Sequence, residues 1–358
     1  MAGPEELSTQ RQSADAPRGD RANVEKTLKE NFVSRDYLST YYPENPDTGG
    51  LLEALRQLPQ GPASARVDIR NIVADTGLAS EMVENVFILD FQRKVAGEIL
   101  RVFPEDHIHI LDVGGGPTVY QHALASLSAD RITHSDLLPQ NLKEVQHWVD
   151  GASNAYDWDA YFGLSQKMLR ADAGYQATLH QQKQSDKDKI REHASFVASL
   201  VEDEGIDAYK THVRECLKRG GIVYGNILDA GLSLPTQVGY DVVNSSGRWS
   251  GMEMVTANFS VEEVSHDREL FERGMKNVME KVKLGGFLSM TTIRNAEWYK
   301  VGNQRMPATS ITEQDMQLIC AENNFEIEML QVLEGSNKEE HGYDGMVFVL
   351  ARRKGENV

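Results

Sequence analysis

With 358 residues, 40% of them hydrophobic and 25% charged, the chain is long enough to bury a substantial core in one large domain or two small ones. It carries 54 acidic side chains against 37 basic ones, a net charge of −17. That balance excludes a surface built to grip nucleic acid or an anionic membrane, because both need clustered Lys and Arg.

Residues 1–30 mix charges with Gly, Ser and Pro and read as a mobile tail. They lack the apolar stretch of a secretory signal, and no apolar run in the chain approaches the ~20 residues of a bilayer span. The two cysteines, Cys216 and Cys320, lie far apart without CxxC or metal-ligand spacing, so idle thiols in a reducing, cytoplasmic setting are expected. Residues 31–105 are helical in pattern and form an amino-terminal cover, with a loop at Pro59–Pro62. Phe87, Phe91, Val95, Ile99 and Val102 recur at three- and four-residue steps and mark one buried face.

The core domain, residues 106–358, opens on the run from His107 to Thr118. Ile108, Ile110, Leu111 and Val113 suit an interior parallel strand. Gly114, Gly115 and Gly116 permit positive φ and close approach of a ligand to the backbone, and Pro117 suits a helix start. An acid, Asp136, ends the next strand, where nucleotide-binding folds grip ribose hydroxyls. The spacing therefore points to a nucleoside cofactor. A dinucleotide is disfavoured, because its third small residue would fall at Val119. Asp112, just before the turn, would also repel a phosphate. S-adenosylmethionine, a sulfonium without phosphate, fits the pattern better. His107 and His109 alternate on the strand as edge or core residues, and no His/Asp spacing suggests a metal.

The second strand is predicted at 131–136 and a helix at about 139–149. Polar helices at about 160–218 read as an insertion forming a lid or an oligomer contact, which would suit a homodimer. A third strand at 221–227 and a fourth at Met252–Phe259 follow, then an amphipathic helix over Glu263–Lys281. Lys283-Leu-Gly-Gly reads as a helix C-cap leading into a fifth strand. A helix at 312–323 precedes two closing strands at 326–334 and 343–352 that form a hairpin. The predicted fold class is α/β: a doubly wound, mostly parallel seven-strand Rossmann-like sheet with a terminal antiparallel strand, an amino-terminal helical cover and a helical insertion.

Several segments resemble the family of nicotinamide, phenylethanolamine and indolethylamine N-methyltransferases. Arg35-Asp-Tyr-Leu-Ser-Thr-Tyr-Tyr42 is similar to its Tyr-rich segment, and Asp112-Val-Gly-Gly-Gly-Pro-Thr-Val-Tyr-Gln121 to its cofactor loop. Ser135-Asp136 with Gln140-Asn-Leu142, Trp148 and Tyr156-Asp-Trp158 is similar to the next unit. Phe259-Ser-Val-Glu-Glu-Val-Ser-His-Asp267 and Val347-Phe-Val-Leu-Ala-Arg-Arg353 complete the likeness. The departures are the tail, the insertion, and Asn226 where the family usually carries an acid at the adenine pocket.

The resemblance implies transfer of a methyl group from S-adenosylmethionine to a nitrogen of a small amine or nitrogen heterocycle. Methylation of an indole-like carbon, or of an oxygen, of a secondary metabolite is the alternative. It implies that Asp136 takes the ribose hydroxyls. Tyr37 and Tyr42, beside Tyr41, would close over the methionine end. Gly114, Gly115, Gly116, Thr118 and Tyr120 form the loop, with Asn141, Asn226 and Asn258 around the remainder. The Asn226 amide oxygen would accept from the adenine amino group. Glu262 matches the carboxylate that faces the amine, Glu263 could occupy that spot after a one-residue slip, and Asp344 is a further acceptor contact. Trp249, Tyr240, Tyr299 and Met306 are candidate walls.

Overall fold

In the computed structural model, which describes residues 21–43, 46–58, 64–104, 108–202, 205–234 and 251–355, one eight-stranded sheet carries the chain. Its strands are β1 (Ser64–Asp68), β2 (Ile108–Val113), β3 (Ala129–Asp136), β4 (Ile222–Tyr224), β5 (Met252–Asn258), β6 (Val282–Arg294), β9 (Phe325–Glu334) and β10 (Gly345–Arg353). A separate ribbon pairs β7 (Trp298–Val301) with β8 (Gln304–Pro307). The order across the sheet is β1-β9-β10-β6-β5-β2-β3-β4. Within the sheet all pairings are parallel except those of β10, which runs antiparallel to both β6 and β9. The doubly wound α/β sheet with a terminal antiparallel strand is as expected. The eighth strand, β1, is an addition from within the segment read as helical, and it pairs parallel with β9.

The helices are α1 (Arg21–Asn31), α2 (Ser34–Tyr41), α3 (Thr48–Gln57), α4 (Ile69–Thr76), α5 (Ser80–Val102), α6 (Gln121–Ala125), α7 (Pro139–Val149), α8 (Asp159–Ala171), α9 (Ala173–Lys183), α10 (Asp188–Glu202), α11 (Asp207–Gly220), α12 (Arg268–Met279), α13 (Glu313–Glu322) and α14 (Lys338–His341). None is long and apolar enough to cross a membrane. Local chemistry sets several of the boundaries. Pro139 opens α7 at a position where the helix needs no N–H. The Asp267 carboxylate accepts the first N–H groups of α12, and Thr312 with Asp315 forms a capping box on α13. Every residue of β2 is buried, as an interior parallel strand requires.

Four expectations need correction. Lys283–Gly286 is no helix cap but the start of β6, where Gly285 takes φ 77° in an irregular pairing with β5. Glu262–Val264 forms a single 3-10 turn, and α12 begins only at Arg268. The insertion, α8–α11, is a buttress, not a lid. Tyr209, Val213, Cys216 and Leu217 of α11 are fully buried, and Tyr209 donates its hydroxyl to the Ala123 carbonyl. Gln182 of α9 bonds the Leu100 carbonyl of α5, and Arg93 of α5 pairs with Asp172. Both cysteines are buried free thiols, pushed up to about 12 by burial, in keeping with idle roles. Residues 21–30, read as tail, lie in the helix Arg21–Asn31, whose Leu28 is buried.

Candidate functional site

β2, β3, β4 and β5 end side by side, and at their carboxyl ends lies a cleft whose empty space, mouth included, is about 900 Å³. This is where an open α/β sheet places its ligands. Its floor is the glycine turn. Gly114 and Gly116 take φ 64° and 65°, the left-handed region that glycine enters without strain. A Cβ at Gly114 would stand 2.5 Å from the Ser260 Cβ, and one at Gly115 would stand 2.1 Å from an Asp112 carboxylate oxygen. No side chain fits at either position.

Asp136 ends β3 at the cleft wall. Its Oδ1 accepts the Leu138 N–H at 2.7 Å and the Asn141 amide at 3.1 Å, and its Oδ2 accepts the Gly116 N–H at 2.9 Å. Burial raises its carboxyl from the ordinary value, against these hydrogen bonds. Asn141 is in turn fixed by the Ser34 hydroxyl of α2 at 2.7 Å. Thr118 caps the turn by donating to the Gly115 carbonyl. Tyr37, Tyr42 and Tyr120 close one side, with Tyr42 and Tyr120 rings 5.1 Å apart and Trp158 stacked on Tyr120 at 5.4 Å. Burial pushes all three hydroxyls up, so they are uncharged donors. Asn258 lines the far side at the end of β5, next to Phe259 with φ 51°.

Asn226 lines the cleft too, but its oxygen accepts the Leu228 N–H at 3.0 Å, and its amide donates to Glu25 Oε1 of α1 at 2.7 Å. The oxygen expected to meet an adenine amino group is thus already engaged. The carboxylate at this corner comes from Glu25, a residue that the sequence reading missed because it lay in the segment taken as tail.

A smaller cavity, about 360 Å³, meets the cleft at Tyr37, Tyr42, Phe259, Glu263 and Tyr299 and extends to Glu81, Glu84, Asn85 and Tyr343. Glu263 faces both spaces, with burial and the neighbouring Glu262 raising its carboxyl well above the ordinary range. Glu84, near the amino end of the buried face of α5, is 2% exposed. Its oxygens accept the Ser336 hydroxyl at 2.6 Å and the Tyr343 hydroxyl at 3.0 Å, and burial pushes it up to about 7. The signal for Glu84 was available in the sequence: an acid among Val83, Val86 and Phe87 on an otherwise apolar face.

Glu262 does not line either cavity. It is fully buried behind the wall, its Oε1 accepting the Ile293 N–H at 3.0 Å, and burial pushes it up to about 7. Asp344 is likewise turned away, paired with Arg294 at 2.9 Å and the Asn295 amide at 2.8 Å. Both were expected to face the acceptor; of the three carboxylates, Glu263 is the one that lines the cleft and the smaller cavity. Tyr299 is a wall of both cavities, whereas Met306 is buried behind it on the facing strand of the ribbon. Trp249 and Tyr240 lie outside the described residues. His109 is a packed strand residue bonded to the Thr133 hydroxyl at 2.8 Å. One cluster was not foreseen: Asp112, His122 and His134 converge in the core beneath the glycine turn.

The cleft fits S-adenosylmethionine. Among the described residues its polar lining is the Glu25, Asp136 and Glu263 carboxyl groups, uncharged hydroxyls and amides, and the backbone of a turn with no room for side chains, with no Lys or Arg to neutralise a phosphate.

Known proteins agree. Residues 78–354 match the profile of the NNMT/PNMT/TEMT family. Phenylethanolamine N-methyltransferase of Sus scrofa is 23% identical over 248 residues, 68% of this chain and 73% of that protein. Nicotinamide N-methyltransferase of Homo sapiens is 20% identical over 281 residues, 78% of this chain and 86% of that protein. Indolethylamine N-methyltransferase of Mus musculus is 27% identical over 132 residues, 37% of each. With the family profile covering most of the sheet and the whole glycine turn, the chain belongs to the NNMT/PNMT/TEMT family and is an S-adenosylmethionine-dependent methyltransferase.

Proposed function

We propose that the enzyme methylates a nitrogen of a small amine or nitrogen heterocycle held in the smaller cavity. The observation that carries this is the chemistry of that cavity. Three carboxyl groups, Glu81, Glu84 and Glu263, line this space together with five tyrosines, Phe259, Asn85 and the apolar Ile88, Ile293 and Met346. Aromatic faces and carboxylates together suit a cationic or hydrogen-bond-donating nitrogen on a flat or short substrate. The relatives' printed names, with phenylethanolamine, nicotinamide and indolethylamine as their acceptors, support the same class.

In this reading Asp136, with Asn141 behind it, holds the cofactor ribose, and the Gly114–Gly116 backbone receives its methionine end. Bound S-adenosylmethionine supplies an activated methyl carbon. The protein's task is then alignment, which can lower such a barrier by roughly 7–11 kcal/mol. The Tyr37–Glu263–Tyr299 wall positions the acceptor nitrogen against the cofactor cleft. Glu263, its carboxyl raised by burial, accepts the proton that an amine nitrogen must lose before or during attack. Glu84 orients the acceptor from the opposite wall, its own oxygens fixed by Ser336 and Tyr343. α1 and α2 cover the cleft and exclude water. We assign the chain a cover at residues 21–105, from which β1 joins the sheet, a core at 106–358, small molecules as its partners, and a homodimer as the assembly to test.

The test is mass spectrometry of amines, pyridines and indoles incubated with the enzyme and a methyl-deuterated cofactor. Label on nitrogen is expected. Label confined to an indole carbon or an oxygen would overturn the nitrogen assignment while leaving the cofactor site intact.

A further inference from the structure

We propose that Asp112, His122 and His134 bind a divalent transition-metal ion, zinc by its donor set, directly beneath the cofactor loop. The three side chains come from three elements, β2, α6 and β3, and are 0%, 1% and 0% exposed. Methyl transfer uses none of them. Asp112 and His134 are register partners on adjacent strands, and α6 lays His122 across them.

The distances are those of a coordination triangle. Asp112 Oδ2 lies 3.2 Å from His134 Nδ1 and 3.5 Å from His122 Nε2, and the two nitrogens are 3.1 Å apart. A tetrahedral ion with bonds of about 2.0–2.1 Å holds its ligand atoms about 3.3–3.4 Å from one another. Orientation argues the same way. His134 Nε2 stands 3.1 Å from the Gly116 carbonyl, which can only accept, so Nε2 carries the hydrogen and a neutral ring aims its Nδ1 lone pair at a carboxylate oxygen. A proton on Nδ1 or a metal ion relieves that opposition, and the convergence of His122 Nε2 on the same point favours the ion. A ligating histidine whose other nitrogen donates to a backbone carbonyl is the usual outer-sphere arrangement of zinc sites. Thr256 fixes the remaining Asp112 oxygen by donating to Oδ1.

A small cavity lined by His122, Gln121 and Thr256 adjoins the cluster on one side. Two imidazoles and one carboxylate favour zinc or a neighbouring metal over calcium or magnesium, which take all-oxygen sets. The ion would tie three elements together just below the turn. Gly116 links the two sites, its carbonyl bound to His134 and its N–H to Asp136. Metal and cofactor affinities are then coupled.

The experiment uses the full chain, free of affinity tag and purified without chelator. Elemental mass spectrometry should find one transition-metal ion per chain. After stripping, zinc should raise the melting temperature, cobalt should give visible d–d absorption, and zinc should tighten cofactor binding measured by calorimetry. His122→Leu should keep a cooperative melt and lose the ion. A native protein with only trace metal, no cobalt absorption and no zinc-dependent melting shift would overturn the proposal, leaving an imidazolium–carboxylate network in its place. One ion per chain retained unchanged in His122→Leu would overturn it as well, by placing the metal elsewhere.

Discussion

In the proposed mechanism Asp136 and Glu263 divide the chemistry, Asp136 serving the cofactor and Glu263 the acceptor, and single substitutions separate their roles. Asp136 serves ligand and loop at once, since its carboxylate accepts the Gly116 and Leu138 N–H groups. Hydrogen bonds to a charged group contribute about 1.5–3 kcal/mol each. Asp136→Ala should therefore raise the cofactor dissociation constant roughly 10- to 100-fold in calorimetry and also lower the melting temperature. Unchanged cofactor affinity would remove Asp136 from the ribose site. Glu263→Gln keeps shape and hydrogen bonding but loses the proton acceptor. It should spare cofactor affinity and lower kcat by about 10²-fold or more with an amine substrate. Glu262→Gln, one residue away but behind the wall, should leave kcat within a few-fold; a larger loss there than at Glu263 would reverse the assignment. The sequence could place a carboxylate after β5 but not choose between neighbours. A 3-10 turn, not the first turn of a long helix, aims Glu263 at the cavity and Glu262 into the core.

At the scale of elements, α1 and the β7–β8 ribbon complete the site, and neither was legible in the sequence. α1 is polar, and most of its length is exposed or half-buried; only its contacts with the cleft give it a place. The ribbon consists of two four-residue strands, too short for alternation to register. It holds α2 in position, with the Lys300 N–H donating to the Tyr41 hydroxyl at 3.1 Å and the Gly302 N–H to the Thr40 hydroxyl at 3.3 Å. What did show was the glycine turn, because sterics alone demand it: a Cβ at Gly115 collides with Asp112 and His134. Elements built by dense local constraint announce themselves, whereas those recruited by tertiary contact do not. Glu25→Ala should weaken cofactor binding several-fold, since one carboxylate hydrogen bond is worth about 1.5–3 kcal/mol where fully formed and less on a half-exposed helix. The melting temperature of the cofactor-free protein should stay nearly constant. Equal cofactor affinity in Glu25→Ala and the native chain would show that α1 merely lies over the cleft.

For the molecule as a whole, two buried or bridged acids pull the pH dependence of stability in opposite directions. Glu313 joins the edge of the sheet to its centre, contacting Arg66 of β1 and Arg294 of β6. Burial alone would raise its carboxyl, but its backbone and arginine partners outweigh that and lower it to about 2. The unfolded chain binds the proton first, so this contribution is present above about 4.5 and lost as pH falls toward 2. Glu84 is the reverse case: burial raises it from 4.5 to about 7, so the folded state holds the proton where the unfolded chain has released it. Stability falls as pH rises from about 4.5 to about 7, and the full cost applies above that window. At 1.36 kcal/mol per pH unit, the cost is on the order of 3 kcal/mol. Glu84→Gln cannot ionise and should not show it. Urea unfolding of both proteins at pH 5 and pH 8 measures the difference, with any loss from the altered Ser336 and Tyr343 hydrogen bonds cancelling as a constant offset. The native chain should lose more stability than Glu84→Gln between the two pH values. Parallel profiles would mean that Glu84 is ionised in the folded enzyme throughout, and that the cavity already provides the charge an ammonium substrate is expected to meet.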